Sequence, residues 1–394
     1  MKYKLCDVTK SANTGADAIK RAPIVEENTG LRCLRIGDVS QKRSFNEWGY
    51  TKTTEDDYKR YKLEQNDIII ARTGNTIGVN CFIENDIESV YNNGLIRIKA
   101  DTDKIIPKFM YYIIRSQDCQ NFVQSIAYGT STQPNIKIQE FLNFEFEYYN
   151  KDVQSKIVSI IDSIDKKIEL NNSINNNLEQ QIFALFDNLF PNVRDGENTI
   201  SNYFSPKRGK NLLSKNAILG DVPVIAGGLN PATYHNVANT NAPVITISAS
   251  GANAGFVNLW HIPVWSSDSS FIDDTITGNI YFWYVMLKKR QQEIFDSQTG
   301  SAQPHIYPQH IEGMTVSDID MNLVNDFNDN VTPLFINMGE NIKENQKLIQ
   351  LRDTLLPKLM SGEIDVSKVE IDDILENPSE QSSSADKLLL SEDK

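Results

Sequence analysis

The sequence predicts an α+β protein built as an internal repeat, in which a strand-rich globule followed by one long helix occurs twice. Three observations carry this prediction. An apolar run closed by a glycine loop, IIIARTGNTIG at 68–78, returns as VITISASGANAG at 244–255, with Gly74/Gly78 and Gly251/Gly255 at an offset of 177. A second segment, YGTSTQPNIKIQEF at 128–141, returns as TGSAQPHIYPQHI at 299–311, pairing Gln133-Pro134 with Gln303-Pro304 and Ile136 with Ile306 at an offset of 170. Each half then closes with a helical pattern much longer than an ordinary globular helix. One such match can arise by chance, but three in the same order mark a duplication.

Residues 1–150 form the first globule of this scheme. Short apolar runs such as LRCLRIGDV, NDIIIAR and GLIRIKA, bounded by Gly, Asn and Asp, read as strands. A helical pattern, KFMYYIIRSQDCQNFVQSI at 108–126, lies among them. The first long helix occupies 151–192. Its apolar residues Val153, Ile157, Ile161, Ile164, Ile168, Ile174, Leu178, Ile182, Leu185 and Leu189 step mostly by three or four and form one stripe. Asp152 fits an N-cap and Pro191 the stop. The second globule, 193–320, has strand-like VPVIAGG and APVITIS and a helical pattern at 280–295. The second long helix, 321–362, carries Phe327, Val331, Leu334, Met338, Ile342, Leu348, Leu355 and Leu359 on its stripe. Pro333 is expected to kink it or set its first turns apart, and Gly362 can end it.

A narrow stripe on so long a helix needs a partner, and the economical one is the other helix, as an intramolecular antiparallel coiled coil. The polar run Asn171, Asn172, Asn175, Asn176, Asn177 opposes Asn345 and Gln346 in the repeat alignment. Most of these positions read as a solvated face, although a buried Asn in a seam can fix register. The remainder, 363–394, is acidic and Ser-rich and is expected to be disordered.

Composition excludes several classes. No apolar run reaches the ~20 residues of a membrane span, and the N-terminus has no secretory apolar segment. Four dispersed cysteines without a CxxC fit thiols in a reducing cytoplasm. Taken as a whole, the formal charge of −13 opposes a nucleic-acid partner. However, 363–394 holds ten acidic residues against three lysines, and 1–150 holds 20 of each sign. Much of the acidity therefore lies outside the repeat. Residues 195–320, with seven basic and eleven acidic residues, remain acidic.

No catalytic apparatus is visible. P-loop, dinucleotide and nucleophile-elbow motifs are absent. The four histidines, His235, His261, His305 and His310, do not have ligand spacing, so no metal site is expected. The duplicated loops instead offer binding chemistry. They hold Arg72, Thr73, Asn75, Thr130, Ser131, Gln133 and Asn135 in the first half, and Ser248, Ser250, Asn253, Ser301, Gln303 and His305 in the second. Arg can grip guanine, Asn and Gln can grip adenine, and hydroxyls can meet base edges or phosphates. These residue types also populate ordinary turns. Phosphates could be met by Lys207, Arg208 and Lys210, or by Lys20-Arg21, Lys42-Arg43, Lys59-Arg60-Lys62 and Lys288-Lys289-Arg290.

The ordered set LRIGDV (34–39), DIIIARTGNTIG (67–78), GTSTQPNI (129–136), VPVIAGGLNPATYHN (222–236), ITISASGANAG (245–255), TGSAQPHI (299–306) and LRDTLLPKLMSGEI (351–364) resembles the specificity subunit of Type I restriction–modification enzymes. The resemblance covers 1–362 and leaves the acidic tail outside. It implies two target-recognition domains, each reading one half of an asymmetric bipartite sequence in double-stranded DNA, separated by the paired helices in a pseudo-two-fold arrangement. It also implies two modification subunits as partners, with restriction subunits in some systems. S-adenosylmethionine would bind in those modification subunits, and this chain would hold no cofactor. The absence of any Pro-Pro dipeptide, which the adenine-methylase motif requires, fits a non-catalytic chain. The competing expectations are a coiled-coil protein-binding adaptor without DNA specificity and, less well supported, a nuclease with a dispersed carboxylate site.

Overall fold

A computed structural model describes residues 1–128, 134–300 and 303–366. They fall into two compact units, one of residues 1–166 with the chain from Leu348 onward, the other of 167–347. The division cuts both long helices, Lys151–Leu189 and Met321–Ser361, so each unit contains part of each.

In the first unit an antiparallel sheet has the strand order Thr9–Thr14, Leu95–Ala100, Ile68–Ala71, Asn80–Phe82. All four residues of Ile68–Ala71 are buried, which explains why that strand reads as an unbroken apolar run and not as an alternation. A second sheet runs Ile24–Val25, Tyr50–Thr51, Arg32–Leu34, Ser89–Tyr91, its last pair parallel. Lys2–Lys4 pairs antiparallel with Glu145–Glu147, setting Lys2 opposite Glu147 and Lys4 opposite Glu145. The helical pattern at 108–126 forms two helices, Pro107–Arg115 and Gln117–Ala127. They break at Ser116, whose hydroxyl caps the second by accepting from the Cys119 amide.

The second unit repeats this plan. Its antiparallel sheet has the order Lys207–Arg208, Ser269–Ile272, Val244–Ser248, Val257–Trp260. A three-stranded sheet runs Thr233–His235, Val222–Ile225, Trp265–Ser266, and Asn198–Thr199 pairs with Thr315–Val316 as the counterpart of the N-terminal ribbon. The pattern at 280–295 is again two helices, Ile280–Lys289 and Gln291–Asp296. Every residue from Ile280 to Leu287 is buried, so the first of these is apolar on all sides.

The second long helix passes Pro333 without interruption, which corrects the expected division of its first turns. Pro333 itself is exposed, while Val331 and Phe335 on either side are fully buried. Packing of those neighbours outweighs the hydrogen bond that proline cannot donate. Within the second unit the two helices are antiparallel and meet through amides. Asn171 Nδ2 donates to Asn345 Oδ1 at 2.9 Å, Asn345 Nδ2 to Asn172 Oδ1 at 2.9 Å, and Asn341 Nδ2 to Asn175 Oδ1 at 2.8 Å. Asn171 and Asn345 are buried, whereas Asn172, Asn176 and Asn177 are exposed. Ile174 and Ile342, expected on the apolar stripe, are exposed. Where asparagines fill the seam, the isoleucines fall to its flank. Among the described residues no helix is long and apolar enough to cross a membrane.

Candidate nucleic-acid interface

The glycine loops of the two units share one backbone frame. In the first, the Gly78 amide donates to Ala71 O at 2.9 Å, Ile77 to Gly74 O at 3.2 Å, and Val79 to Thr76 O at 3.2 Å. In the second, Gly255 donates to Ser248 O at 2.7 Å, Ala254 to Gly251 O at 3.0 Å, and Phe256 to Asn253 O at 2.9 Å. Each bond recurs at the offset of 177. The glycines are required by conformation. Gly74 and Gly251 have φ of 84° and 83°, and Gly78 and Gly255 both have 89°. Gly78 and Gly255 are also crowded, since a Cβ would stand 2.7 Å from Gln120 Oε1 in one case and 2.9 Å from Ile294 Cγ2 in the other.

The Gln-Pro segments dock onto these loops in the same way in both units. Ile136 donates to Arg72 O at 2.9 Å, and Ile306 to Ala249 O at 3.0 Å. Isolated bridges join Thr73 to Asn135 and Ser250 to His305. Both isoleucines are buried and anchor the segment, leaving the polar residues beside them at the surface.

On this shared frame the side chains differ. In the first unit Arg72 Nε and Nη2 both donate to Asn135 Oδ1, at 3.2 and 3.1 Å, so the guanidinium is held by a neutral amide. Thr73 is half-buried and Asn75 exposed beside it. Thr130, Ser131 and Gln133 lie outside the described residues, as does Ser301 in the second unit. In the second unit the cation comes from another element. Arg208 Nη2 donates to Asp268 Oδ1 at 2.6 Å, and the Ser250 hydroxyl donates to the other oxygen of Asp268. Lys207 and Lys210 are exposed near Arg208, Asn253 is half-buried, and Gln303 is exposed. His305 stacks on exposed Tyr307 with ring centroids 5.9 Å apart, and Tyr307 stacks in turn on His310 at 5.7 Å.

Two sequence expectations need correction. Ser248 is buried at the end of its strand, where its hydroxyl donates to Ala226 O at 3.4 Å, so it cannot serve as a surface contact. The cluster Lys288-Lys289-Arg290 is not a free basic patch. Arg290 is buried, pairs with Glu293 and donates to Thr315 O at 2.8 Å. Lys289 pairs with Asp187, and Lys288 lies over the Phe256 ring, where burial lowers its pKa. In the first unit Arg21, Arg43, Lys59 and Lys62 each face a carboxylate, of Asp57, Asp38, Glu55 and Glu64 respectively. Asp268 and Tyr307 were not apparent in the sequence. Asp268 meets Arg208 across 60 residues of chain, a separation that no local pattern reports.

A family model described as the Type I restriction modification DNA specificity domain matches residues 1–180. The Type I restriction enzyme HindI specificity subunit of Haemophilus influenzae is 29% identical over 188 residues, covering 45% of this chain and 40% of that protein. The match therefore spans less than half of that relative's length. The Type I restriction enzyme MjaIX specificity subunit of Methanocaldococcus jannaschii is 23% identical over 320 residues, covering 68% of this chain and 71% of the relative. Among solved structures, the S subunit of a Type I restriction-modification system from M. genitalium superposes with a TM-score of 0.56 at 20% identity. That comparison covers 91% of this chain and 96% of the other, and is a likeness of fold.

Proposed function

We propose that this chain, whose residues 1–180 match the Type I restriction modification DNA specificity domain, is the sequence-reading subunit of a Type I restriction–modification enzyme. It reads double-stranded DNA as two unlike half-sites, one with each globule, and the two long helices pair as an antiparallel spacer that sets the unread gap. The observation that carries this reading is the contrast between frame and contents. The loop backbone is the same in both units, while Arg72 with Asn135 in one is replaced by Ser250, Asp268 and Arg208 in the other. A duplicated scaffold with exchanged polar side chains suits two readers of different sequence. A protein-binding adaptor would have no need of it.

Catalysis is assigned to partners. Two modification subunits would bind S-adenosylmethionine and methylate adenine, and restriction subunits would join in some assemblies. This chain supplies the address. In the basic clusters, Arg21, Arg43, Lys59, Lys62, Arg208, Lys289 and Arg290 already face carboxylates, so fewer cations remain to neutralise phosphates, which is the main source of sequence-independent affinity. The purified chain is therefore expected to bind duplex DNA weakly, and the assembly with modification subunits tightly. Fluorescence anisotropy at fixed salt checks this. Tight, sequence-specific binding by the chain alone would show that the partners are not needed for grip.

A further inference from the structure

We propose that Arg208 and Asp268 together read one G·C base pair in the half-site of the second globule, with Arg208 on guanine and Asp268 accepting from the cytosine amino group. The proposal rests on the DNA-reading role given above and assigns its chemistry to two residues.

Arg208 belongs to an edge strand of only two residues that pairs on one side, with Ser269–Ile272. Its side chain is 40% exposed and that of Asp268 34%, so both remain accessible while bonded to each other. Asp268 is fixed from two directions, by Arg208 on one oxygen and by the Ser250 hydroxyl on the other. Ser250 is in turn tied to the shared loop frame through its bridge to His305. The guanidinium thus has a set direction before any ligand arrives, and less side-chain entropy is lost when it binds. One of its five N–H groups serves Asp268, and the others remain for the O6 and N7 acceptors of guanine.

The charge of the pair decides between base and backbone. An arginine meant for phosphate gains by remaining a net cation, because affinity there comes from counterion release. Arg208 is instead compensated by a carboxylate, which phosphate would repel. A carboxylate is useful where a base presents an amino donor, and in the major groove cytosine N4 is such a donor beside the guanine acceptors of the same pair. In an A·T pair Asp268 would face the thymine O4 carbonyl, acceptor against acceptor, so the pair also disfavours a wrong partner. The first unit differs on this point. Asn135 leaves the charge of Arg72 uncompensated, so the two readers are unlike in electrostatics as well as in residues.

The test uses the complete chain assembled with its modification subunits, and a set of duplexes in which each base pair of the second half-site is varied singly. The wild-type assembly should discriminate by about 5- to 150-fold at one G·C position. Arg208→Lys and Asp268→Asn should each relax discrimination at that position with the first half-site unchanged, and the charge-conserving Arg208→Lys should leave the salt dependence unchanged as well. Arg208→Lys alters an exposed side chain and guards against loss of fold in the other variant. A uniform loss of affinity over all duplexes on Arg208→Gln, with the salt slope reduced by about one, would mark a phosphate contact and overturn the assignment. A wild-type assembly with no sequence preference at all would overturn the DNA-reading role itself, and this assignment with it.

Discussion

Replacing Phe327 by alanine is expected to destabilise the second unit by about 3–5 kcal/mol, the range for a large aromatic removed from a packed core. Phe327 is fully buried. Its ring stands nearly edge-on to those of Phe186 and Phe190, both at 5.7 Å, and to Phe282 at 6.2 Å. Phe186 comes from the first long helix, Phe190 from the residue just beyond its end, Phe282 from the buried helix and Phe327 from the second long helix. One side chain therefore joins three helices of that unit, and alanine would leave a cavity that their backbones cannot collapse to fill. Urea denaturation should show an early transition for this unit. Phe327→Leu, which keeps most of the volume, should cost less than about 2 kcal/mol. Equal losses for the two variants would mean that ring packing does not hold the helices.

Asp165→Ala should destabilise the first unit by about 2–3 kcal/mol, since hydrogen bonds to charged groups are among the stronger ones, and Arg115 would lose its counter-charge while Arg352 kept only Asp353. Asp165 accepts from Arg115 Nη1 at 2.6 Å and from Arg352 Nη1 at 3.0 Å. The arginine side chains are only 24% and 14% exposed. Water would screen them partly, so the expected cost is below that of a fully buried broken pair. Asp165→Asn keeps an acceptor but no charge and should fall between wild type and alanine. Thermal denaturation of the paired variants measures the effect.

How far the sequence foretold the molecule depended on the range of the interaction concerned. The long helices were legible because their apolar stripes repeat every turn, and the glycine loops because positive φ restricts both loop positions to glycine in each half. Ser248 was misread because its strand is covered on both faces, so no alternation announced where the strand ended and the loop began. The helix runs undivided through Pro333 although local propensity argues for a break there, because tertiary packing of Val331 and Phe335 prevails. The basic clusters illustrate the limit for function. Composition counts charges but does not say that Arg290 lies buried beside Glu293, or that Arg208 is held by a carboxylate 60 residues away. The polar contacts around the loops, Arg72 with Asn135 and Arg208 with Asp268, join residues distant in sequence, where one-dimensional patterns carry no information.

Two unlike readers on a duplicated frame make a definite claim about the target, and single-molecule sequencing of methylated adenines tests it most directly. DNA exposed to the assembled enzyme should carry methylation in an asymmetric bipartite sequence, two short specified parts separated by a gap of fixed length. Exchange of residues 193–320 for the corresponding segment of a relative should change one part and leave the other part and the gap intact. A single contiguous motif, a palindrome, or a change in both parts after the exchange would contradict the claim.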